Sequence, residues 1–168
     1  MLSTIIAIVV VLLDQISKHF VCTNLKPVGS VPVIEGILNF TYVENRGAAF
    51  GILSDNRAVF MVISVVIIAV LGYIVAMFHG QSKLFDVCLG LIVGGGIGNM
   101  VDRAFLGYVV DFIDFCAFDF WVWVFNIADS AVVVGCILAI IFVIFDKKAA
   151  SMVEKQVSHD GENEENEQ

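Results

Sequence analysis

Two acids set in apolar surroundings are the residues of this sequence best placed to do chemistry. Asp111 stands in Val109-Val110-Asp111-Phe112, and Asp129 in Phe125-Asn126-Ile127-Ala128-Asp129-Ser130. A lone carboxylate among Val, Ile and Phe is expensive to ionise, so each acid requires a partner, a proton or a function. Two carboxyls held close together cannot both ionise; one keeps a proton while the other takes one from water. The ionised member is then a general base and the protonated member polarises a scissile carbonyl, after which the proton passes to the leaving amine. That is the chemistry of an aspartic peptidase, and because such a pair titrates as a unit, neither acid carries a fixed role. The plainer alternative is that each Asp caps a helix or faces interfacial water.

The elements that must position these acids follow from composition. Of 168 residues, 59% are hydrophobic and 15% charged, and the mean hydropathy is +0.92. This is more apolar surface than one soluble core of that size buries, so the chain is expected to be an α-helical membrane protein. Much of the formal charge of -8 sits in residues 154–167, and no basic patch is interleaved with aromatics, which leaves nucleic-acid binding without support. Cys22, Cys88, Cys116 and Cys136 form no CxxC pair, and with His19, His79 and His159 dispersed they offer no metal-ligand spacing. The cysteines read as small apolar packing residues.

Taken in order, residues 2–21 form a first apolar span. A cleaved signal peptide would require a basic leading segment and a small-x-small site, and neither is present. Asp14 and Lys18 lie four apart on one helix face and can pair at the outer end of the span. Residues 23–56 change character: Pro27, Gly29, Pro32, Gly36, Gly47 and Gly51 punctuate strand-like pieces at Ser30–Ile34 and 38–43. This is expected to be an extracytoplasmic β-rich insert. Within it, Asn45-Arg46-Gly47-Ala48-Ala49-Phe50 suits a lip over a membrane-level cleft, although Asn-x-Gly is also an ordinary turn.

Residues 58–78 carry no charge and suffice to cross a hydrocarbon core of about 30 Å. A third span over 84–100 contains Gly90, Gly94 and Gly98 at every fourth position, a small-residue face on which another helix or a substrate can approach the backbone. It leads into Asp102 and Arg103, neighbours that point in different directions; Arg103 is placed to anchor at the interface or to hold a carbonyl or carboxylate. An extracytoplasmic loop is expected over 101–125, with the aromatics of 112–125 forming an interfacial belt. A fourth span covers 126–145, and 147–168 forms an acidic, disordered tail behind a single membrane-embedded domain at 1–146.

Four transmembrane helices put both termini on one side, and the insert and the Asp111 segment together on the other. Lys and Arg counts tie between the two sides, and Lys147-Lys148 at a helix end favours cytoplasmic termini. Asp14, Asn45, Asn99, Arg103, Asp111, Asn126 and Asp129 then gather at the outer level, with the small β-rich domain packed on the membrane surface.

The motifs themselves carry a resemblance. Asp14-Gln15-x-x-Lys18, Asn45-x-Gly47-Ala48-Ala49-Phe50, Gly95-x-x-Gly98-Asn99-x-x-Asp102-Arg103, Val109-Val110-Asp111-Phe112 and Phe125-Asn126-x-Ala128-Asp129-Ser130 are similar, in order, to those of the bacterial lipoprotein signal peptidases, the type II signal peptidase family. The resemblance implies a metal- and cofactor-free aspartic endopeptidase of the bacterial inner membrane that removes the signal peptide from diacylglyceryl-modified prolipoproteins, cutting before the lipidated Cys. It places Asp111 and Asp129 on the catalytic dyad. It places Asp14, Lys18, Asn45, Asn99, Arg103, Asn126, Ala128 and Ser130 around dyad and substrate, and Gly47 in a surface loop. Implied partners are lipid-modified prolipoprotein signal peptides, membrane lipids and cyclic peptide inhibitors that occupy the dyad, with the enzyme a monomer.

Two rivals belong to other classes. A serine/lysine peptidase would use Ser130 or Ser17 with Lys18. A proton-coupled transporter would also concentrate acids in its spans, but near mid-bilayer and in two related halves.

Overall fold

The computed structural model describes residues 1–46, 82–117 and 123–145, together with Val66 and Val70, which are helical. Helix α1, Leu2–Phe20, buries Ser3, Ala7, Val10, Asp14 and Lys18, a stripe at three- and four-residue spacing. Its other side leaves Ile5, Ile8, Leu12, Leu13, Ile16 and Phe20 exposed. Such a face is unfavourable in water and suited to lipid. One turn of wider, π pitch over Val21–Leu25 extends α1, with the Lys26 amide donating to Val21 O at 3.0 Å. Helix α2 runs Lys83–Phe105 and helix α3 Ile127–Phe145. Leu2–Leu25 and Lys83–Phe105 are long and apolar enough to cross a membrane, and α3 is apolar over Ile127–Phe142.

The glycines of α2 explain how the three helices approach one another. A Cβ on Gly90 would stand 2.7 Å from Ser3 O, one on Gly94 2.8 Å from Ala7 O, and one on Gly98 2.7 Å from the Asp14 carboxylate, so α2 lies parallel against α1. A Cβ on Gly95 would collide with Ala128 O, while one on Gly135 of α3 would sit 2.9 Å from Cys88 O, so α3 runs antiparallel to α2. The small-residue ladder is thus a helix-packing surface on two sides.

Four antiparallel strands, in the order β1-β2-β3-β4, cover one end of these helices. β1 is Ser30–Ile34, β2 Leu38–Asn45, β3 Val109–Phe115 and β4 Val124–Phe125. Pro32 is tolerated because β1 is the edge strand. Val110 and Phe112 pack with Val21 and Leu25, seating the sheet on the π turn of α1.

The strand-like pieces expected in the insert are present, β2 reaching Asn45. The third span is longer than 84–100: α2 continues through Asp102 and Arg103 to Phe105 because Asp102 finds buried partners, and the chain then reverses at Gly107, whose φ of +85° favours glycine. Residues 101–125 are therefore not a plain loop, since β3 and β4 fall within them. Phe112 is buried, edge-on to Phe40 with ring centroids 5.9 Å apart, and takes no part in an interfacial belt. Of the second span, Val66 and Val70, both helical, are described; the rest of it, the Gly47 loop and the acidic tail lie outside the described residues.

Helix contact at Gly94 leads to a prediction. Gly94→Ala should lower stability by about 1–3 kcal/mol through overpacking, because backbone of α1 occupies the needed space. Thermal unfolding in detergent would show a clear drop, and a matching substitution at Gly36, where nothing lies within 4 Å of the added Cβ but φ is +73°, would show only local turn strain.

Candidate active site

Helix α3 begins at a polar node. Asn126, fully buried, precedes its first residue, and the Asn126 Oδ1 accepts the Asp129 amide at 2.8 Å. In return the Asp129 Oδ2 accepts the Asn126 amide at 3.2 Å, a reciprocal cap that satisfies two donors otherwise stranded at the helix end. A third donor, the Ala128 amide, is taken by the Asp14 Oδ1 of α1 at 3.0 Å. Carboxylates at a helix N-terminus are also favoured by its dipole.

The Asn126 side-chain amide faces the other way. It donates to the Asp111 Oδ1 at 2.6 Å and to the Asn99 Oδ1 at 3.0 Å. One residue therefore bonds both acids. The remaining Asp111 oxygen accepts from the Asn45 Nδ2 at 2.9 Å, and the remaining Asp129 oxygen from the Asn99 Nδ2 at 2.7 Å. β-Sheet register brings Asn45 there: Val43 pairs with Asp111 and Asn45 with Val109, so Asn45 and Asp111 are diagonal neighbours on one face.

Beneath the pair lies a buried ionic cluster. Lys18 Nζ donates to the Asp14 Oδ2 at 2.8 Å, the Asp102 Oδ2 at 3.0 Å and the Asn99 Oδ1 at 3.0 Å, one acceptor for each ammonium proton. The Lys18 and Asp14 side chains are 4% and 0% exposed, so the spacing-based pairing of these two is present and sealed from solvent. Asp102 also accepts the Val110 amide at 3.0 Å and the Gln15 side-chain amide at 2.9 Å, tying the start of β3 to α1 and α2. Sequence reasoning passed over Asp102 and Gln15 as site residues. Their signal was present: Asp102 is three residues after Asn99, on the same face of α2, and Gln15 adjoins Asp14.

A cleft of about 480 Å³ opens beside the node, lined by Asn45, Asn99, Arg103, Trp123, Phe125 and Asp129 among others. Arg103 thus faces the cleft while its neighbour Asp102 faces inward. Asp129 forms part of the wall, whereas Asp111 is 1% exposed. Burial is the main reason the Asp111 carboxyl is pushed up to about 6; the charge of Asp129 adds to the rise, while hydrogen bonds from Asn45 and Asn126 oppose it. Ala128 is fully buried under Asp14 and Gly98. Ser130 is exposed and its hydroxyl donates to Asn126 O at 2.9 Å. Asp14, Lys18, Asn45, Asn99, Arg103, Asp111, Asn126, Ala128 and Asp129 are therefore brought together, Ser130 sits at the edge, and Gly47 lies outside the described residues.

Helices long and apolar enough to cross a membrane, with a buried polar site under a small sheet at one end, define a helix bundle of membrane type. The family described as signal peptidase (SPase) II matches residues 6–145. The lipoprotein signal peptidase of Caldanaerobacter subterraneus subsp. tengcongensis is 46% identical over 144 residues, covering 86% of this chain and 97% of that protein. That of Clostridioides difficile is 42% identical over 149 residues, covering 86% and 96%. A bacterial membrane enzyme structure obtained by the in meso method at 2.3 Å resolution is similar with a TM-score of 0.75 and 38% identity, over 86% of this chain and 88% of that one. The chain belongs to the signal peptidase II family and is a protease.

The ionic cluster is testable apart from activity. Lys18→Met strands the Asp14 and Asp102 carboxylates, and breaking such a buried arrangement costs about 3–5 kcal/mol. Chemical or thermal unfolding in micelles should show this loss, whereas Lys26→Met, at a side chain 49% exposed, should leave stability nearly unchanged.

Proposed function

We propose that the protein is an intramembrane aspartic endopeptidase that removes the signal peptide from diacylglyceryl-modified prolipoproteins, cleaving on the N-terminal side of the lipidated Cys. The observation that carries this is Asn126 bonded to both acids, its side-chain amide donating to Asp111 and its backbone N–H to Asp129, which holds the two carboxyls around one residue. The names of the relatives supply the substrate class.

In the mechanism, the dyad retains one proton between its two carboxyls, since the charge of each raises the cost of ionising the other. Each oxygen of the pair already accepts one N–H, from Asn45, Asn99 or Asn126, which leaves a lone pair on each for a proton or water. The ionised acid takes a proton from water, the protonated acid polarises the scissile carbonyl, and collapse of the tetrahedral intermediate delivers a proton to the leaving amine. Arg103, in the cleft wall beside Asp129, is positioned to hold a substrate carbonyl.

The Lys18 ammonium meets three acceptors and the Ser17 hydroxyl donates to Asp14 O at 2.7 Å, an arrangement that disfavours a serine/lysine mechanism. Acids clustered at one end of the helices, beside the sheet, likewise disfavour a proton-coupled transporter. Four transmembrane spans within one domain at 1–146, both termini cytoplasmic and the site at the outer face of the bacterial inner membrane complete the proposal. The parallel course of α1 and α2 supports a returning span between them. Cyclic peptides that occupy the dyad are the expected inhibitors, and the enzyme is expected to act as a monomer.

With a lipidated precursor peptide and purified enzyme, Asp111→Asn and Asp129→Asn should each lose about 10²–10⁴-fold or more in cleavage rate while staying folded. Ser130→Ala should retain at least part of the activity; full activity in either Asn variant refutes the mechanism. The pH–rate profile should show an acid limb of the pair near pH 6, the level to which burial pushes the Asp111 carboxyl, well above the usual carboxylate range. Asn45→Ala removes a donor to the ionised form of Asp111, so this limb should move to higher pH.

A further inference from the structure

Strand β2 alternates two duties along its last residues. Val43 and Asn45 share the face of Asp111, while Tyr42, Glu44 and Arg46 share the opposite one. On that opposite face the Glu44 Oε1 accepts from Lys26 Nζ at 3.0 Å and from the Tyr42 hydroxyl at 3.0 Å. Its Oε2 accepts from an Arg46 guanidinium nitrogen at 2.9 Å. Lys26 Nζ also stands 5.0 Å over the Tyr42 ring, and the Arg46 guanidinium 5.5 Å over that of Tyr108. Both rings pack on the apolar cluster of Val21, Leu25, Val110 and Phe112. Glu44 therefore binds the end of β2 to the exit of α1.

Register gives this clamp a purpose. The β2–β3 ladder is interrupted between Phe40 and Val43, so the pairing of Asn45 with Val109 is not dictated by the regular ladder upstream. A slip of one residue at the strand end would turn Asn45 away from Asp111 and bring Glu44 or Arg46 toward the acids. We propose that Glu44 is a positioning residue for the cleavage reaction: its bond from Lys26 ties β2 to the exit of α1 and its bond from Arg46 holds that guanidinium over Tyr108 beside β3, which together fix the register that keeps the Asn45 amide on Asp111. This rests on Asp111 being one of the catalytic pair. Hydrogen bonds from Arg46, Lys26 and Tyr42 hold the Glu44 carboxyl down at about 2, so the clamp stays charged across the pH range of catalysis. With Lys26, Glu44 and Arg46 side chains 49%, 27% and 65% exposed, the clamp adds little to global stability, which separates positioning from folding.

The experiment is a double-mutant cycle on the full chain with a lipidated precursor peptide, measuring kcat, KM, pH profile and unfolding temperature. Loss of the Asn45 hydrogen bond to the Asp111 carboxylate predicts that Glu44→Ala lowers kcat about tenfold, with KM and unfolding temperature nearly unchanged. Glu44→Gln, which can still accept from Lys26 and Tyr42, should fall between Glu44→Ala and the parent, and Arg46→Met should resemble it. The acid limb should rise in Glu44→Ala as it does in Asn45→Ala. The charged groups acting on Asp111 there are Asp129 of α3, Lys18 of α1 and Arg103 of α2, all unaltered by the substitution. In the Asn45→Ala background, Glu44→Ala should add nothing further. Multiplicative losses, an effect on KM alone, or full activity in Glu44→Ala would overturn the clamp. Asp111→Asn in the same assay keeps the two ideas apart: cleavage by that variant overturns the dyad itself, whereas its inactivity beside multiplicative losses overturns only the role of Glu44.

Discussion

Asn126 makes the first turn of α3 and the acid pair a single object. Its backbone N–H and side chain serve the Asp129 amide and carboxylate on the helix side, and Asp111 and Asn99 on the other. A helix N-terminus needs acceptors for its stranded amides, and a buried carboxylate needs donors. Asn, with a carbonyl and an amide on one short side chain, meets both needs at once. Asp could not donate and Ser could not span the two acids, so the residue type follows from the geometry.

Charge burial then shapes the layer below. Lys18 has to be matched on every proton, and the matching residues come from α1 and α2, which forces those helices into contact at the level of the site. Contact that close leaves no space for side chains on α2, which Gly90, Gly94 and Gly98 omit. The same glycine that lets α1 approach, Gly98, also accepts a hydrogen bond on its carbonyl from Gln15 at 3.2 Å. Helix packing and polar satisfaction are thus solved by one set of residues, in a setting where lipid supplies no hydrogen bonds.

The sheet adds the second acid and the first access route. β3 is buried over Val109–Phe112, held at Val110 by Asp102 and seated on the π turn of α1. β2 contributes Asn45 at its end, next to the cleft that Arg103 and Trp123 help to line. Asp111 is nearly sealed and Asp129 meets the cleft, so two chemically identical groups experience different solvation.

The local features were legible in the sequence because each depends on short-range pattern. Apolar runs predicted the α1, α2 and α3 spans, proline and glycine marked the strands near Ser30–Ile34 and β2, and the i,i+4 spacing of Asp14 and Lys18 announced their ion pair. The helical extension of α2 to Phe105 and the pairing of β3 with β2 were not legible, because both are decided by partners far along the chain: Lys18 for Asp102, and the ladder from Asn39 to Asn45 for β3. For the same reason Gln15 and Asp102 stood within the motifs with no site role assigned to them. The sequence by itself determined which residues could ionise, cap or pack closely. Only the tertiary structure decided that Asp111 would reach Asn126, which already caps Asp129 three residues on, since hydrogen bonds reach about 3 Å and nothing in chain order brings β3 that near to the start of α3.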